Sequence, residues 1–136
     1  MSNRIFLDTN IFVYAFTVGP KRDAAQGLLA SGGVVSVQVL NEIANVLNRK
    51  QHFSWARTEA ALDIVRFRFP GARPLTEATH AAALALARDH GFAFYDALVV
   101  ASAQEAGCDT LYSENMQHGR AIGGLTIRNP FLASPP

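Results

Sequence analysis

The 136-residue chain carries 12 Lys and Arg against 11 Asp and Glu, for a formal net charge of +1, and 49% of its residues are hydrophobic. That length fits one compact domain, because two separate cores would each bury barely enough surface to offset chain entropy; the apolar fraction excludes a disordered chain, and the near-neutral charge means that nucleic-acid binding has to be argued from local sites. The lone Cys108 excludes an intramolecular disulfide and fits a reducing compartment, and neither it nor the four histidines has zinc-ligand spacing.

In chain order, residues 4–7 form an apolar run that predicts a buried strand ending at Asp8. Residues 21–30 predict a helix, Gly32-Gly33 a turn, and 34–37 a second strand. Helices are predicted over 38–50, 55–69, 77–90 and 97–106, the last apolar on nearly every side and therefore buried. Short strands at 110–112 and 125–127, each after a glycine-containing turn, complete a small sheet. The alternation predicts an α/β fold, a single domain over 1–136, with a mostly parallel sheet covered on both faces. No signal-peptide pattern opens the sequence and no apolar run approaches the ~20 residues that cross a bilayer, so a cytoplasmic setting with no membrane partner is expected.

Ligands of such sheets gather beyond the C-terminal ends of the strands, and three acids are candidates for that position. Asp8, in Asp8-Thr9-Asn10, follows Ile5-Phe6-Leu7 directly, which puts its carboxylate at a strand end. It serves either as a helix cap, worth about 1 kcal/mol, or as a site acid. Glu42 borders the helical stripe of Val39, Leu40, Ile43, Val46 and Leu47, so it is either a surface glutamate or one that overlooks the strand ends. Asp96 opens the apolar helix of Phe94-Tyr95-Asp96-Ala97-Leu98-Val99-Val100-Ala101, again as a cap or as a site acid. Should the three converge, repulsion at ~5 Å and an effective dielectric of ~20 is about 3 kcal/mol per pair and about 10 kcal/mol in all, the size of a folding free energy. Such a group must protonate or hold a cation, and oxygen donors suit Mg²⁺ or Mn²⁺.

Four segments then stand in a telling order: Ile5-Phe6-Leu7-Asp8-Thr9-Asn10, Ser36-Val37-Gln38-Val39-Leu40-Asn41-Glu42, Phe94 through Ala101 as written above, and Thr110-Leu111-Tyr112-Ser113-Glu114-Asn115-Met116-Gln117-His118-Gly119. Together they resemble the PIN-domain family, and within it the VapC-type toxins of bacterial toxin–antitoxin pairs. The resemblance runs over almost the whole chain and implies a central parallel sheet of about five strands flanked by helices. It also implies a ribonuclease that cuts single-stranded RNA with Mg²⁺ or Mn²⁺ held by acids. Hydrolysis by a metal-activated water would leave 5′-phosphate and 3′-hydroxyl ends.

Asp8, Glu42 and Asp96 match three of the family's acids, Asp8 and Asp96 as direct ligands and Glu42 as a ligand or water-orienting base. Asn10 and Ser36 match small polar positions lining the site, and each also suits a local cap. Where the family usually places an aspartate after Ser-Glu, this chain has Asn115, which keeps a carbonyl oxygen for positioning and loses the charge. Glu114 would compensate only where the backbone bends, because neighbouring side chains on an extended segment point to opposite faces. The resemblance further implies a cognate antitoxin that covers the site and a homodimer of the toxin. Leu62, Val65 and Phe69 offer an apolar helical face for either, or for the core.

Arg22, Arg49, Lys50, Arg66, Arg68, Arg88 and Arg120 are candidate phosphate contacts. Phe53 and Trp55, aromatic residues near a helix start, are read without a role. Two other functions compete. An aspartate ending the first strand also resembles haloacid-dehalogenase-type phosphatases, but their second aspartate is Asn10 here and a later acidic pair after a glycine is missing. Alternatively, the loss of charge at Asn115 leaves an attenuated or inactive domain that binds RNA or antitoxin without cutting.

Overall fold

The computed structural model describes residues 4–132. The first apolar run extends as β1 (Ile5–Leu7) and stops at Asp8, whose Oδ1 accepts the Thr9 N–H at 2.7 Å and opens α1 (Thr9–Phe16). Four more helices follow: α2 (Arg22–Ser31), α3 (Val37–Arg49), α4 (Trp55–Arg68) and α5 (Glu77–His90). Side-chain oxygens of Ser36, Ser54 and Thr76 cap the last three of these, and Thr76 with Thr79 forms a reciprocal capping box. The helix α5 ends at Gly91, whose φ of +74° is the left-handed conformation that terminates helices. Beyond it come α6 (Phe94–Glu105), β2 (Thr110–Tyr112), β3 (Ala121–Ile122) and β4 (Leu125–Arg128).

The strands form one sheet in the order β1-β2-β4-β3. β1 pairs in parallel with β2 and β2 with β4, whereas β3 lies antiparallel on β4 across the two-residue turn Gly123-Gly124. The expected α/β class and mostly parallel sheet are therefore found, with four strands rather than about five.

The run 34–37 is not a full strand. Val34 makes a single parallel bridge to Phe6, and Ser36 then caps α3, so the helix claims the chain from Val37 onward. Gly33 permits this close approach, since a Cβ there would meet the Ile5 carbonyl oxygen at 2.4 Å. Two elements had no counterpart in the expectation. Thr9–Phe16 has the aromatic and β-branched composition of a strand, yet the Asp8 cap and burial of Ile11, Phe12, Val13 and Ala15 make it a helix. The two-residue β3 is too short to leave a periodic signal.

Helices α1 to α4 pack on one another, and α5 packs against α6. Phe12 and Phe69 meet edge to face in the core, with ring centroids 5.1 Å apart, and the stretch of α6 from Ala97 to Ala103 is buried throughout, as its composition requires. Among the described residues no helix is long and apolar enough to cross a membrane.

Candidate active site

Pairing of β1 with β2, and of β2 with β4, sets the three C-terminal ends side by side: the Asp8 N–H bonds the Tyr112 carbonyl at 3.0 Å, and the Ser113 N–H bonds the Arg128 carbonyl at 2.9 Å. Asp8 therefore leaves β1 beside Ser113, whose hydroxyl donates to Asp8 Oδ2 at 2.8 Å. Asp8 is at once the cap of α1 and a wall of a pocket of ≈ 360 Å³. Glu42, from the middle of α3, and Asp96, from the first turn of α6, line the same pocket with Asn10 and Asn115. Asp96 is not the cap of its helix; Ala93 holds that position and makes no side-chain bond.

The charges of Glu42 and Asp96 both reach Asp8. Asp8 is 6% exposed, and its pKa is raised from 3.8 to about 6, first by burial and then by the charges of Glu42 and Asp96, against the lowering effect of the Thr9 N–H and the Ser113 hydroxyl. Burial also raises the Asp96 carboxyl above its ordinary range. The three nevertheless share walls without closing into a cage: among the described residues no three His, Cys, Asp or Glu side chains stand close enough together to hold a metal as they are. The arrangement is looser than the tight convergence expected from the sequence. The donor set, three carboxylates and an amide carbonyl in one pocket, fits a hard cation such as Mg²⁺ or Mn²⁺.

The remaining candidates separate. Ser36 is wholly buried, its Oγ accepting the Val39 N–H at 3.2 Å, and it does not line the pocket. Glu114 also stands off the pocket: its carboxylate accepts hydrogen bonds from Tyr14 and Lys21, while its N–H donates to Asn10 Oδ1 at 3.3 Å. Burial pushes the Glu114 carboxyl up, but those bonds and the Lys21 charge outweigh it and hold the pKa below the usual value. Asn115 is exposed at the pocket, and its N–H donates to Ser113 Oγ at 3.3 Å.

Of the basic candidates only Lys50 lines the pocket. Arg88 pairs with Asp89, Arg120 stacks on Phe92, and Arg66 lies in a separate groove between α3 and α4 with Leu62 and Phe69. Val65 and Phe69 are core residues, Phe53 is buried, and Trp55 is 62% exposed. Sequence reasoning passed over Tyr14, Tyr95 and Gln51 in the pocket wall. It also passed over Gln38, which bonds Glu42, and Ser113, which bonds Asp8. Gln38 had a readable signal, since it precedes Glu42 by four residues and so shares its helix face.

No curated protein sequence matches this chain. Solved structures similar to it include a toxin–antitoxin complex from Klebsiella pneumoniae, at 22% identity, 93% coverage of this chain, 98% of that one and a TM-score of 0.71. VapC20 of Mycobacterium tuberculosis, described as a sarcin–ricin-loop-cleaving toxin, is similar at 23% identity, with 79% and 86% coverage and a TM-score of 0.64. VapBC2 of Rickettsia felis, bound to a DNA fragment from its promoter, is similar at 22% identity, with 92% and 97% coverage and a TM-score of 0.66. The PIN domain family matches residues 5–121, which displaces the phosphatase reading: the chain belongs to the PIN-domain family.

Proposed function

We propose that the chain is a divalent-metal-dependent endoribonuclease and the toxin of a toxin–antitoxin pair. One observation carries the reading: Asp8, Glu42, Asp96 and Asn115 share a single pocket beyond the C-terminal ends of the parallel strands. Membership of the PIN-domain family supports it, as does similarity to structures described as a sarcin–ricin-loop-cleaving toxin and a toxin–antitoxin complex.

Asp8 and Asp96 are the residues proposed to ligate Mg²⁺ or Mn²⁺, with Glu42 as a third ligand or as a base and the Asn115 carbonyl as a positioning group. When bound, the cation would supply charge neutralisation at a phosphate and lower the pKa of a water. Asp8, its two oxygens oriented by the Thr9 N–H and the Ser113 hydroxyl, keeps its remaining lone pairs for the pocket. Glu42 is held at one oxygen by Gln38 and is free at the other to take a proton from the attacking water. Lys50 in the pocket wall is placed to pair with a phosphate of the RNA. Tyr95, 70% exposed at the same pocket, offers a ring on which an unpaired base can stack.

The proposed partners are single-stranded RNA, a cognate antitoxin and a second copy of the chain, in a cytoplasmic setting. Exposed apolar side chains on α4, Ile64 and Phe67, are the surface a protein partner would cover. The test is cleavage of single-stranded and looped RNA with Mg²⁺, Mn²⁺ or a chelator, in this chain and in Asn115→Asp. Metal-dependent cutting that disappears in Asp8→Asn is expected; no cutting by either protein overturns the enzyme. The uncharged Asn115 favours one second reading, a domain that binds RNA or antitoxin without cleavage, which tight RNA binding without products in both proteins would support.

A further inference from the structure

Gln38 sits one turn before Glu42 on α3 and is 5% exposed. Its Nε2 donates to Glu42 Oε1 at 2.8 Å and to the main-chain carbonyl of Tyr95 at 3.3 Å. Both partners are acceptors, so the amide has one workable orientation; turned over, its own oxygen would face a carboxylate and a carbonyl. In the orientation it takes, Oε1 is buried and meets no hydrogen-bond donor among the described residues. A buried acceptor left unpaired is destabilising relative to an apolar side chain of the same size. Stability alone would favour Met or Leu at this position.

The amide links two elements that come from distant parts of the chain: α3, which carries Glu42, and the first turn of α6, where Asp96 follows Tyr95 directly. We infer that Gln38 is a positioning residue that fixes the separation of Glu42 from Asp96 and thereby sets the cation affinity of the pocket, without touching cation or RNA. This inference rests on the metal-dependent function proposed above. Groups that orient metal ligands commonly contribute about 10- to 100-fold in affinity or activity when removed.

Gln38→Met keeps the length of the side chain and removes both hydrogen bonds. Mn²⁺ binding, followed by the paramagnetic resonance of the free ion, is expected to weaken by about tenfold or more, and RNA turnover to fall with KM little changed. The melting temperature is expected to stay within about 4 °C of the parent or to rise. A merely structural role gives the opposite pattern, a lower melting temperature with unchanged Mn²⁺ affinity, and that result overturns the inference. Gln38→Leu carries the same test should the Met variant lose its cooperative melt. If the parent takes up no Mn²⁺, the metal-dependent function fails and the side-chain amide protons of Gln38 decide the link by themselves: hydrogen exchange much slower than that of exposed Gln51 supports it, and exchange as fast as that of Gln51 overturns it.

Discussion

Asp8 and Glu114 stand at neighbouring strand ends, tied together through the Ser113 hydroxyl on Asp8 and the Glu114 N–H on Asn10, yet their carboxyls are driven in opposite directions. Burial raises both. At Glu114 the Lys21 ammonium and the Tyr14 hydroxyl answer that burial within the chain, and the anion is favoured. At Asp8 the answering groups are neutral donors, and the nearest charges, Glu42 and Asp96, are of the same sign. A carboxylate with its own cation stays ionised at little cost; one that faces other carboxylates is relieved by taking up a proton or a cation. The first arrangement ties a turn to α1, and the second is the one proposed as the site.

The comparison breaks most visibly at Asp8. Asp8→Asn should reduce Mn²⁺ affinity and RNA cleavage by more than about 100-fold, beyond what loss of a ligand-orienting group does; a variant that still cuts at the parent's rate would remove Asp8 from the chemistry. The same substitution should stabilise the metal-free chain at neutral pH. The folded pKa of Asp8, about 6, lies above the ordinary 3.8, so the native state holds the proton more tightly than the unfolded chain does. Its stabilising contribution is complete below 3.8 and is lost as pH rises through about 6, a change of up to about 3 kcal/mol. Urea unfolding without metal, followed from acid to neutral pH, should show that loss in the parent and not in Asp8→Asn; equal slopes in the two proteins would contradict it.

A smaller effect is expected at Asn115, where Asn115→Asp adds a fourth charge to the pocket. Mn²⁺ binding should tighten by about tenfold, equivalent to about 1.4 kcal/mol, and metal-free stability at neutral pH should decline. Tightening without any stability change would mean that residue 115 lies too far from the other acids to repel them. The smallest effect belongs to Glu114. Glu114→Gln removes a partly exposed ion pair with Lys21, for which a melting-temperature drop of roughly 3 °C and almost no change in Mn²⁺ affinity are expected. A large loss of affinity there would erase the distinction between the two carboxylates.

One side of this contrast was legible in the sequence. Asp8, Glu42 and Asp96 stood out because each adjoins an apolar strand or helix whose burial fixes its direction, and the three line one pocket. The buried character of α6 followed from its composition, and the parallel pairing from the alternation of elements. Ser36 and Glu114 were placed with the site because residue type and sequence neighbourhood do not distinguish a side chain that points into a pocket from one that caps a helix or meets a lysine 93 positions away. The Lys21 partnership depends on α1 turning the chain back, and α1 itself was hidden by its β-branched and aromatic residues. The close three-way contact of acids was overdrawn for a similar reason: spacing along a chain carries no distances, and among the described residues no three such groups stand close enough together to hold a metal.

Calorimetric titration of Mn²⁺ near pH 6, repeated in two buffers of different ionisation enthalpy, tests the central claim most directly. The claim is that a divalent cation supplies the charge that Asp8 lacks. It predicts one Mn²⁺ per chain with release of protons, because Asp8, its pKa raised to about 6, is partly protonated at that pH and must ionise to bind, and it predicts that the uptake and the proton release are lost in Asp8→Asn. Uptake with no proton release and no sensitivity to Asp8→Asn, or no uptake even by Asn115→Asp, would contradict it.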